Sequence, residues 1–292
     1  MASRPQDSRG ASREKSIYFM KIQEIKTALA ELGAKPNKHL GQHFLVDKHA
    51  LDTIVQEAEI EKGDHVLEVG PGLGVLTRRL IEAGAEVIAI ERDKKFAAYL
   101  RTRFSDDFEC AEGDAAKMDW DELIGKGDWK FVSNLPYGIT AIALRKALWG
   151  KNPPTNMVVL IQREVAERII LRGRKKHSLL SLMVAFASHE TQLVKRVSRT
   201  CFYPPPRVES AILRIIPTRR EEREVIWGED PEKIMALARK GFAHPRKFLF
   251  SNLDIKGEAV SRISLETKIP EKARAEDLKP EDWVLLAKIL ER

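Results

Sequence analysis

The sequence predicts an α/β fold, a mostly parallel sheet with helices on both faces, followed by a small all-helical segment. Three observations carry that expectation. Short apolar runs at 65–69, 86–90, 130–133 and 156–161 alternate with helical stretches such as 74–83 and 141–149, the pattern of βαβ units. Two later strand-like segments, 192–197 and 208–215, have no helix between them and are expected to pair antiparallel at the sheet edge. Beyond Pro217 only helical patterns follow, around 231–242, 248–253 and 280–290.

The elements before and between these follow from local signals. Ile22, Ile25, Leu29 and Leu32 recur at helical spacing, which predicts a helix over 17–32 that Gly33 stops. Residues 1–16 are polar, rich in Ser and Arg, and read as a floppy tail without the apolar stretch of a secretory signal. The charged stretch 219–224 reads as a linker, and the apolar run 179–186 as a buried helix. Three segments result: an N-terminal extension, 1–37, partly disordered with a short helix; an α/β domain, 38–217; and a helical domain, 218–292.

Composition narrows the function classes. Of 292 residues, 43% are hydrophobic, enough for a sizeable core. No apolar run reaches the roughly 18 residues that a membrane span needs. Only Cys110 and Cys201 occur, so neither a disulfide framework nor a zinc site is indicated. His39, His65, His189 and His244 show no ligand spacing, and no metal is expected. The reading is a cytoplasmic monomer. The net charge of +7 suits a polyanionic partner. It is spread thinly, with 7 basic against 4 acidic residues over 1–37, 27 against 24 over 38–217 and 16 against 15 over 218–292. A nucleic-acid surface must therefore come from local clusters.

Glu68-Val69-Gly70-Pro71-Gly72-Leu73-Gly74 follows the strand at His65 and opens a helix. Glycines there allow a sharp turn and a close approach of backbone to ligand. Glu91 ends the next strand, where a carboxylate can accept hydrogen bonds from ribose hydroxyls. Together they point to a nucleoside-containing cofactor. The G-x-G-x-G spacing differs from the G-x-G-x-x-G of dinucleotide sites, and Pro71 removes an N–H that a pyrophosphate could use. Arg92 keeps an NADP reading open, since an Arg can accept a 2′-phosphate. Gly113-Asp114-Ala115 follows the third strand, where Asp114 can take the amine of an adenine. Glu91 with Asp114 leaves little room for phosphates and favours S-adenosylmethionine, hence a Rossmann-like sheet of the class I methyltransferase type.

Asn134-Leu135-Pro136-Tyr137 follows an apolar strand and so stands at its carboxyl end, where open α/β sheets bind ligands. The Asn134 side-chain carbonyl can accept a hydrogen bond from the exocyclic amine of adenine. A carbonyl before or after Pro136 can supply a second acceptor. Tyr137 offers a face on which an extruded base can stack, worth about 1–3 kcal/mol. Such catalysis is positioning plus electrostatics.

Taken together, these residues resemble the small-subunit ribosomal RNA adenine dimethyltransferases, from about Lys38 to the C-terminus. Lys38-His39-Leu40-Gly41-Gln42-His43-Phe44-Leu45 is similar to the family's opening signature. Glu68 to Gly74, Glu91, Gly113-Asp114-Ala115 and Asn134 to Tyr137 follow its motifs in order. Phe202-Tyr203-Pro204-Pro205-Pro206-Arg207-Val208 is similar to its late motif. The resemblance implies S-adenosylmethionine as cofactor, contacted by Gln42, His43, Leu45, Gly70, Gly72, Glu91, Arg92, Asp114, Ala115 and Asn134. It implies a catalytic set of Asn134, Leu135, Pro136, Tyr137 and Phe202, with Phe202 opposite Tyr137 across the base. It further implies dimethylation of two adjacent adenines in a small-subunit rRNA hairpin during ribosome biogenesis. His43 stands where many members carry Asn; an imidazole can still make one hydrogen bond, so cofactor binding is expected to survive.

For RNA contact the basic clusters compete with a merely solvated reading. Arg172, Arg174, Lys175 and Lys176 form the densest one, and Arg239, Lys240, Arg246 and Lys247 bracket 241–245 in an otherwise charge-balanced region. Lys and Arg that neutralise phosphates release counterions and give sequence-independent affinity. Lys195, Arg196 and Arg199 are half structural on this reading. Two rivals stay open beside NADP oxidoreduction: a resistance enzyme acting on large-subunit rRNA, and a noncatalytic RNA-binding assembly factor on the same fold.

Overall fold

Alternate residues of the central strands face opposite cores, as the period-two geometry of a strand requires. Leu67, Val69, Phe131, Val159 and Ile161 belong to one buried cluster, and Val66, Val132, Val158 and Leu160 to the other. A sheet covered on both faces needs apolar side chains at successive positions, which explains the uninterrupted runs in the sequence.

The computed structural model describes residues 20–37, 41–104, 107–170 and 176–291. In chain order its elements are α1 (Ile22–Glu31), β1 (Phe44–Leu45), α2 (Lys48–Ala58), β2 (His65–Val69), α3 (Val75–Ala83), β3 (Glu86–Glu91), α4 (Lys94–Arg103), β4 (Phe108–Glu112), α5 (Trp120–Ile124) and β5 (Lys130–Asn134). Then come α6 (Thr140–Trp149), β6 (Asn156–Gln162), α7 (Arg163–Ile169), α8 (Leu179–Ala185), β7 (Ser188–Val197), β8 (Phe202–Tyr203) and β9 (Ser210–Pro217). The last five are α9 (Arg220–Trp227), α10 (Pro231–Gly241), α11 (Leu249–Asn252), α12 (Glu258–Thr267) and α13 (Pro280–Leu290).

Seven strands lie in the order β4-β3-β2-β5-β6-β9-β7. β2 to β6 run parallel, while β9 pairs antiparallel with both β6 and β7. The strand order reverses between β2 and β5, which makes the crevice beyond their carboxyl ends the place for a ligand. Gly70 follows β2 and Asn134 ends β5, so both expected motifs open onto that crevice. A separate two-stranded strap pairs Phe44 with Tyr203 and Leu45 with Phe202.

Two expectations from sequence need correction. The N-terminal helix begins at Ile22, where the Lys21 N–H donates to the Glu24 carboxylate at 2.6 Å; residues 17–19 lie outside the described residues. Its inner face, Ile25, Ala28 and Leu29, is buried in the same cluster as Phe44, Leu73 and Phe96. The second correction concerns the stretch expected as a linker, which is helix α9. Its Arg223 is 3% exposed and donates from Nη2 to Leu148 O at 2.7 Å and to Thr218 O at 2.9 Å. Arg220 donates from Nη1 to Trp149 O at 3.0 Å. The last carbonyls of a helix lack intrahelical partners, and a guanidinium satisfies them with favourable charge. Burial, with repulsion from Arg220, pulls the Arg223 pKa down to about 10.

The C-terminal helices share a core with the sheet. Ile234, Met235, Leu249, Ile263 and Trp283 belong to the cluster that contains Phe131 and Leu182. A Cβ on Gly241 would come within 2.4 Å of the Trp283 ring, so a glycine at the end of α10 is what lets α13 approach.

Candidate active site

The glycine turn is held by one carboxylate, that of Glu91. Glu91 at the end of β3 is 5% exposed. Its Oε2 accepts from the Gly72 N–H at 3.0 Å and its Oε1 from the Asp93 N–H at 2.8 Å. Burial pushes its pKa up, and the backbone donors oppose that shift. Each oxygen keeps lone pairs for a further donor. Glu68, 2% exposed, accepts from Thr77 Oγ1 at 2.6 Å. Its pKa is raised to about 8, chiefly by burial, with a repulsive contribution from Glu91.

Gly70 and Gly72 both adopt positive φ, 72° and 59°. A Cβ would lie 2.9 Å from Pro136 Cγ at Gly70 and 3.0 Å from Phe44 Cε1 at Gly72. Backbone alone fits here, and it forms a cradle of the kind a nucleoside cofactor needs. Asp114 completes the floor, with Oδ1 accepting from the Ala116 N–H at 3.0 Å. Arg92 lies 3.7 Å from Asp114 Oδ2, so this guanidinium is turned to a carboxylate. Ala115 is buried, and its carbonyl accepts from the Trp120 indole at 2.9 Å.

The second half of the site faces this floor. Asn134 Nδ2 donates to His43 O at 3.2 Å, which leaves the Asn134 side-chain oxygen as an acceptor. The Leu135 side chain is buried, and its N–H donates to Leu160 O at 3.1 Å. The two carbonyls flanking the prolyl ring differ. Pro136 O accepts from the Ile139 N–H at 3.1 Å, whereas among the described residues no N–H is placed on Leu135 O. Leu135 O is thus the less engaged of the two carbonyls left open by sequence. The Tyr137 hydroxyl and Ser210 Oγ are 2.6 Å apart, which pins the far end of the ring. Burial raises the Tyr137 pKa, opposed by the Ser210 hydrogen bond.

The strap closes one side. The imidazole of His43 lies over Tyr137 with centroids 6.0 Å apart and planes at 28°. Leu45 and Phe202, paired in the strap, are both 3% exposed. Both belong to the apolar cluster that also holds Phe44 and Leu73. Tyr203 alternates outward, with Lys26 Nζ 5.5 Å from its centroid. Gln42 folds back, its Oε1 accepting from the Asn37 N–H at 2.7 Å.

Of the basic candidates, Arg239, Lys240, Arg246 and Lys247 are exposed on α10 and the turn that follows it. Asn252 anchors that turn by donating to Gly241 O at 2.6 Å and His244 O at 3.1 Å. Lys176 is paired with Glu276, a compensation that the sequence did not reveal, while Arg172, Arg174 and Lys175 lie outside the described residues. Arg196 pairs with Glu167 at 3.1 Å. Among the described residues no group of three His, Cys, Asp or Glu is placed to hold a metal, and no helix is long and apolar enough to cross a membrane.

The family described as ribosomal RNA adenine dimethylase matches residues 33–292. The chain belongs to that family. Among curated dimethylase relatives, the ribosomal RNA small subunit methyltransferase A of Nostoc sp. is 34% identical over 271 residues, 88% of this chain and 98% of the relative. The enzyme of the same name from Dehalococcoides mccartyi is 36% identical over 256 residues, 85% of this chain and 86% of the relative. Among solved structures, a dimethyladenosine transferase from Plasmodium falciparum superposes with a TM-score of 0.67 at 25% identity. It covers 85% of this chain and 98% of that one. The 23S rRNA methyltransferase ErmE superposes at 0.64 and 25% identity, covering 85% and 100%. Helix α1 precedes the stretch that the dimethylase family matches.

Sequence reasoning missed Ser210, which fixes Tyr137, and Thr77, which partners Glu68. A lone serine at the head of the apolar run 211–213 was the available signal for the first.

Proposed function

We propose that this chain transfers methyl groups from S-adenosylmethionine to the exocyclic N6 amine of two adjacent adenines in a small-subunit rRNA hairpin. The products would be N6,N6-dimethyladenosines, made during ribosome biogenesis. The single observation that carries the reading is the contact of Gly70, on the glycine turn, with Pro136 of the Asn134–Tyr137 motif, where Asn134 Nδ2 is engaged by His43 O and Oδ1 is left to accept. The names of the curated relatives support the choice of RNA.

When bound, the cofactor supplies an electrophilic methyl group on a sulfonium. Gly70 and Gly72 shape its cradle by packing backbone against Pro136 and Phe44, Glu91 accepts its ribose hydroxyls and Asp114 its adenine amine. Gln42, His43 and Leu45 belong to the strap that closes over it. On the other side, Tyr137 stacks on the target base and repays part of the few kcal/mol that unstacking costs. Asn134 Oδ1 and Leu135 O accept hydrogen bonds from the two amine N–H groups, which draws the nitrogen away from planarity and frees its lone pair for attack. The nitrogen becomes acidic once it has bonded the methyl carbon and releases a proton, so no strong base is required. Arg239, Lys240, Arg246 and Lys247 hold phosphates of the RNA, making 218–292 the RNA-binding part.

The test supplies cofactor labelled in its methyl group to immature small subunits and, separately, to large-subunit rRNA. Label in adenine of the small-subunit RNA alone is expected. Label in the large subunit only, or none in either while a control dimethyltransferase works, would sink the proposal.

A further inference from the structure

Ser210 is a polar residue at the head of β9, and it is fully buried. The residues that follow it, Ala211, Ile212 and Leu213, are all core. A hydroxyl in such surroundings costs free energy unless it is hydrogen-bonded. Its partner is Tyr137, with the two oxygens 2.6 Å apart. Burial pushes the Tyr137 pKa up against the pull of this hydrogen bond, so the contact joins two neutral hydroxyls.

The contact crosses the sheet. Asn134, at the end of β5, pairs with Leu160 of β6, and the Leu135 N–H donates to Leu160 O. Ser210 lies on the other side of β6, opposite Gln162. The Tyr137 side chain therefore leaves the backbone just past β5 and reaches β9 across the carboxyl end of β6. Its far anchor is rigid, because Ser210 pairs with Gln162 on one side and with Val197 on the other. Beside it the Arg163 N–H donates to Glu209 O at 2.9 Å. A tyrosine on a turn has several staggered χ1 wells open to it. Tying the hydroxyl to a second strand of the same sheet selects one of them.

We infer that Ser210 is a positioning residue for the target adenine, acting through the Tyr137 hydroxyl to fix the ring on which the base stacks. The ring is then oriented before RNA arrives, and the cost of ordering it falls on folding and not on capture of the base. This rests on the proposed adenine chemistry and adds to it a residue that acts only through another. On the same reading the RNA phosphates are held elsewhere, at Arg239, Lys240, Arg246 and Lys247. Loosening Tyr137 should therefore slow transfer within the complex and leave assembly of the complex alone. A hydrogen bond that serves the fold only would lower the melting temperature and spare both.

The experiment compares wild type, Ser210→Ala, Tyr137→Phe and the double variant. Tyr137→Phe keeps the ring and removes only its hydroxyl. Four quantities are measured: the melting temperature, the calorimetric affinity for S-adenosylmethionine, the saturated single-turnover rate of methylation of immature small subunits, and the subunit concentration that gives half that rate. Each single variant should lose about threefold to tenfold in the saturated rate, the scale set by immobilising one side chain. Cofactor affinity and the half-saturating concentration should stay as in wild type. The double variant should lose no more than the worse single one, since both changes delete the same contact. If Ser210→Ala melts early, Tyr137→Phe decides alone. An unchanged saturated rate in Tyr137→Phe overturns the inference. So do losses that multiply in the double variant, and so does a loss confined to cofactor affinity or to the half-saturating concentration. Failure of wild type itself to methylate adenine would instead overturn the functional reading beneath it.

Discussion

Gly70 and Pro136 are in contact: a Cβ on Gly70 would lie 2.9 Å from Pro136 Cγ and 3.1 Å from its Cδ. The cofactor turn and the base motif are therefore two sides of one wedge, formed where β2 and β5 meet. Gly70 also has φ of 72°, a conformation that costs an L-residue about 1–2 kcal/mol. Gly70→Ala adds overpacking of typically about 1–3 kcal/mol. The expected result is a lower melting temperature together with at least about tenfold weaker cofactor binding, since about 1.4 kcal/mol corresponds to tenfold. Unchanged melting and unchanged calorimetric affinity would show that the wedge is looser than described.

Glu91 and Asn134 should separate binding from transfer. Glu91 grips the cradle through the Gly72 and Asp93 N–H groups, so Glu91→Ala should act mainly on cofactor affinity. Asn134→Ala removes an acceptor used as charge develops, an effect of about 10²–10³ in turnover where comparable groups have been deleted. Titration calorimetry beside single-turnover rates checks this. Comparable losses of cofactor affinity in both variants would contradict the assignment.

Glu68 makes stability depend on pH in an unusual direction. Its pKa, raised from 4.5 to about 8 mainly by burial, means that the folded protein keeps a proton that the unfolded chain releases above about pH 4.5. The contribution of this group is therefore most favourable below that value. It is lost as pH rises toward 8, at no more than about 1.4 kcal/mol per pH unit for one proton. Glu68→Gln keeps an acceptor for Thr77 and removes the titration. Thermal melts should show the variant gaining on wild type between pH 5 and 8. Parallel profiles would mean that Glu68 is ionised in the fold.

Salt dependence distinguishes the basic residues. Arg246 and Lys247 are exposed and make no ion pair among the described residues, whereas Lys176 is compensated by Glu276. Loss of two phosphate contacts through Arg246→Ala with Lys247→Ala should reduce the slope of log affinity against log salt by about 1.5. Lys176→Ala should leave it nearly unchanged. Filter-binding or fluorescence titrations at several salt concentrations give the slopes, and an equal effect of both changes would move the RNA surface.

The parallel sheet and the placing of the motifs at its strand ends were legible in the sequence because each rests on local rules. Uninterrupted apolar runs gave β2, β3, β5 and β6, and motif order put Gly70, Glu91 and Asn134 at strand ends. What escaped depended on partners far along the chain. Arg219 to Glu224 looks solvated until Arg223 is seen capping α6 through Leu148 O. The exposed charge of Lys176 is cancelled by Glu276, 100 residues away. Phe202 stands in a two-residue strand whose pairing with Leu45, 157 positions earlier, no local pattern announces. That the Ile139 N–H engages one of the two carbonyls flanking the ring of Pro136 also depends on the local turn and not on the motif itself. None of these has a signature in composition or spacing.

The central claim is that Asn134 Oδ1 and Leu135 O present an adenine amine to a methyl donor held over Gly70. The most direct test is mass spectrometry of nucleosides from small-subunit RNA treated with the protein and S-adenosylmethionine. The account predicts N6,N6-dimethyladenosine, at two adjacent positions, and its disappearance with Asn134→Ala. Methylation at carbon, at a ring nitrogen or on a base other than adenine would contradict it.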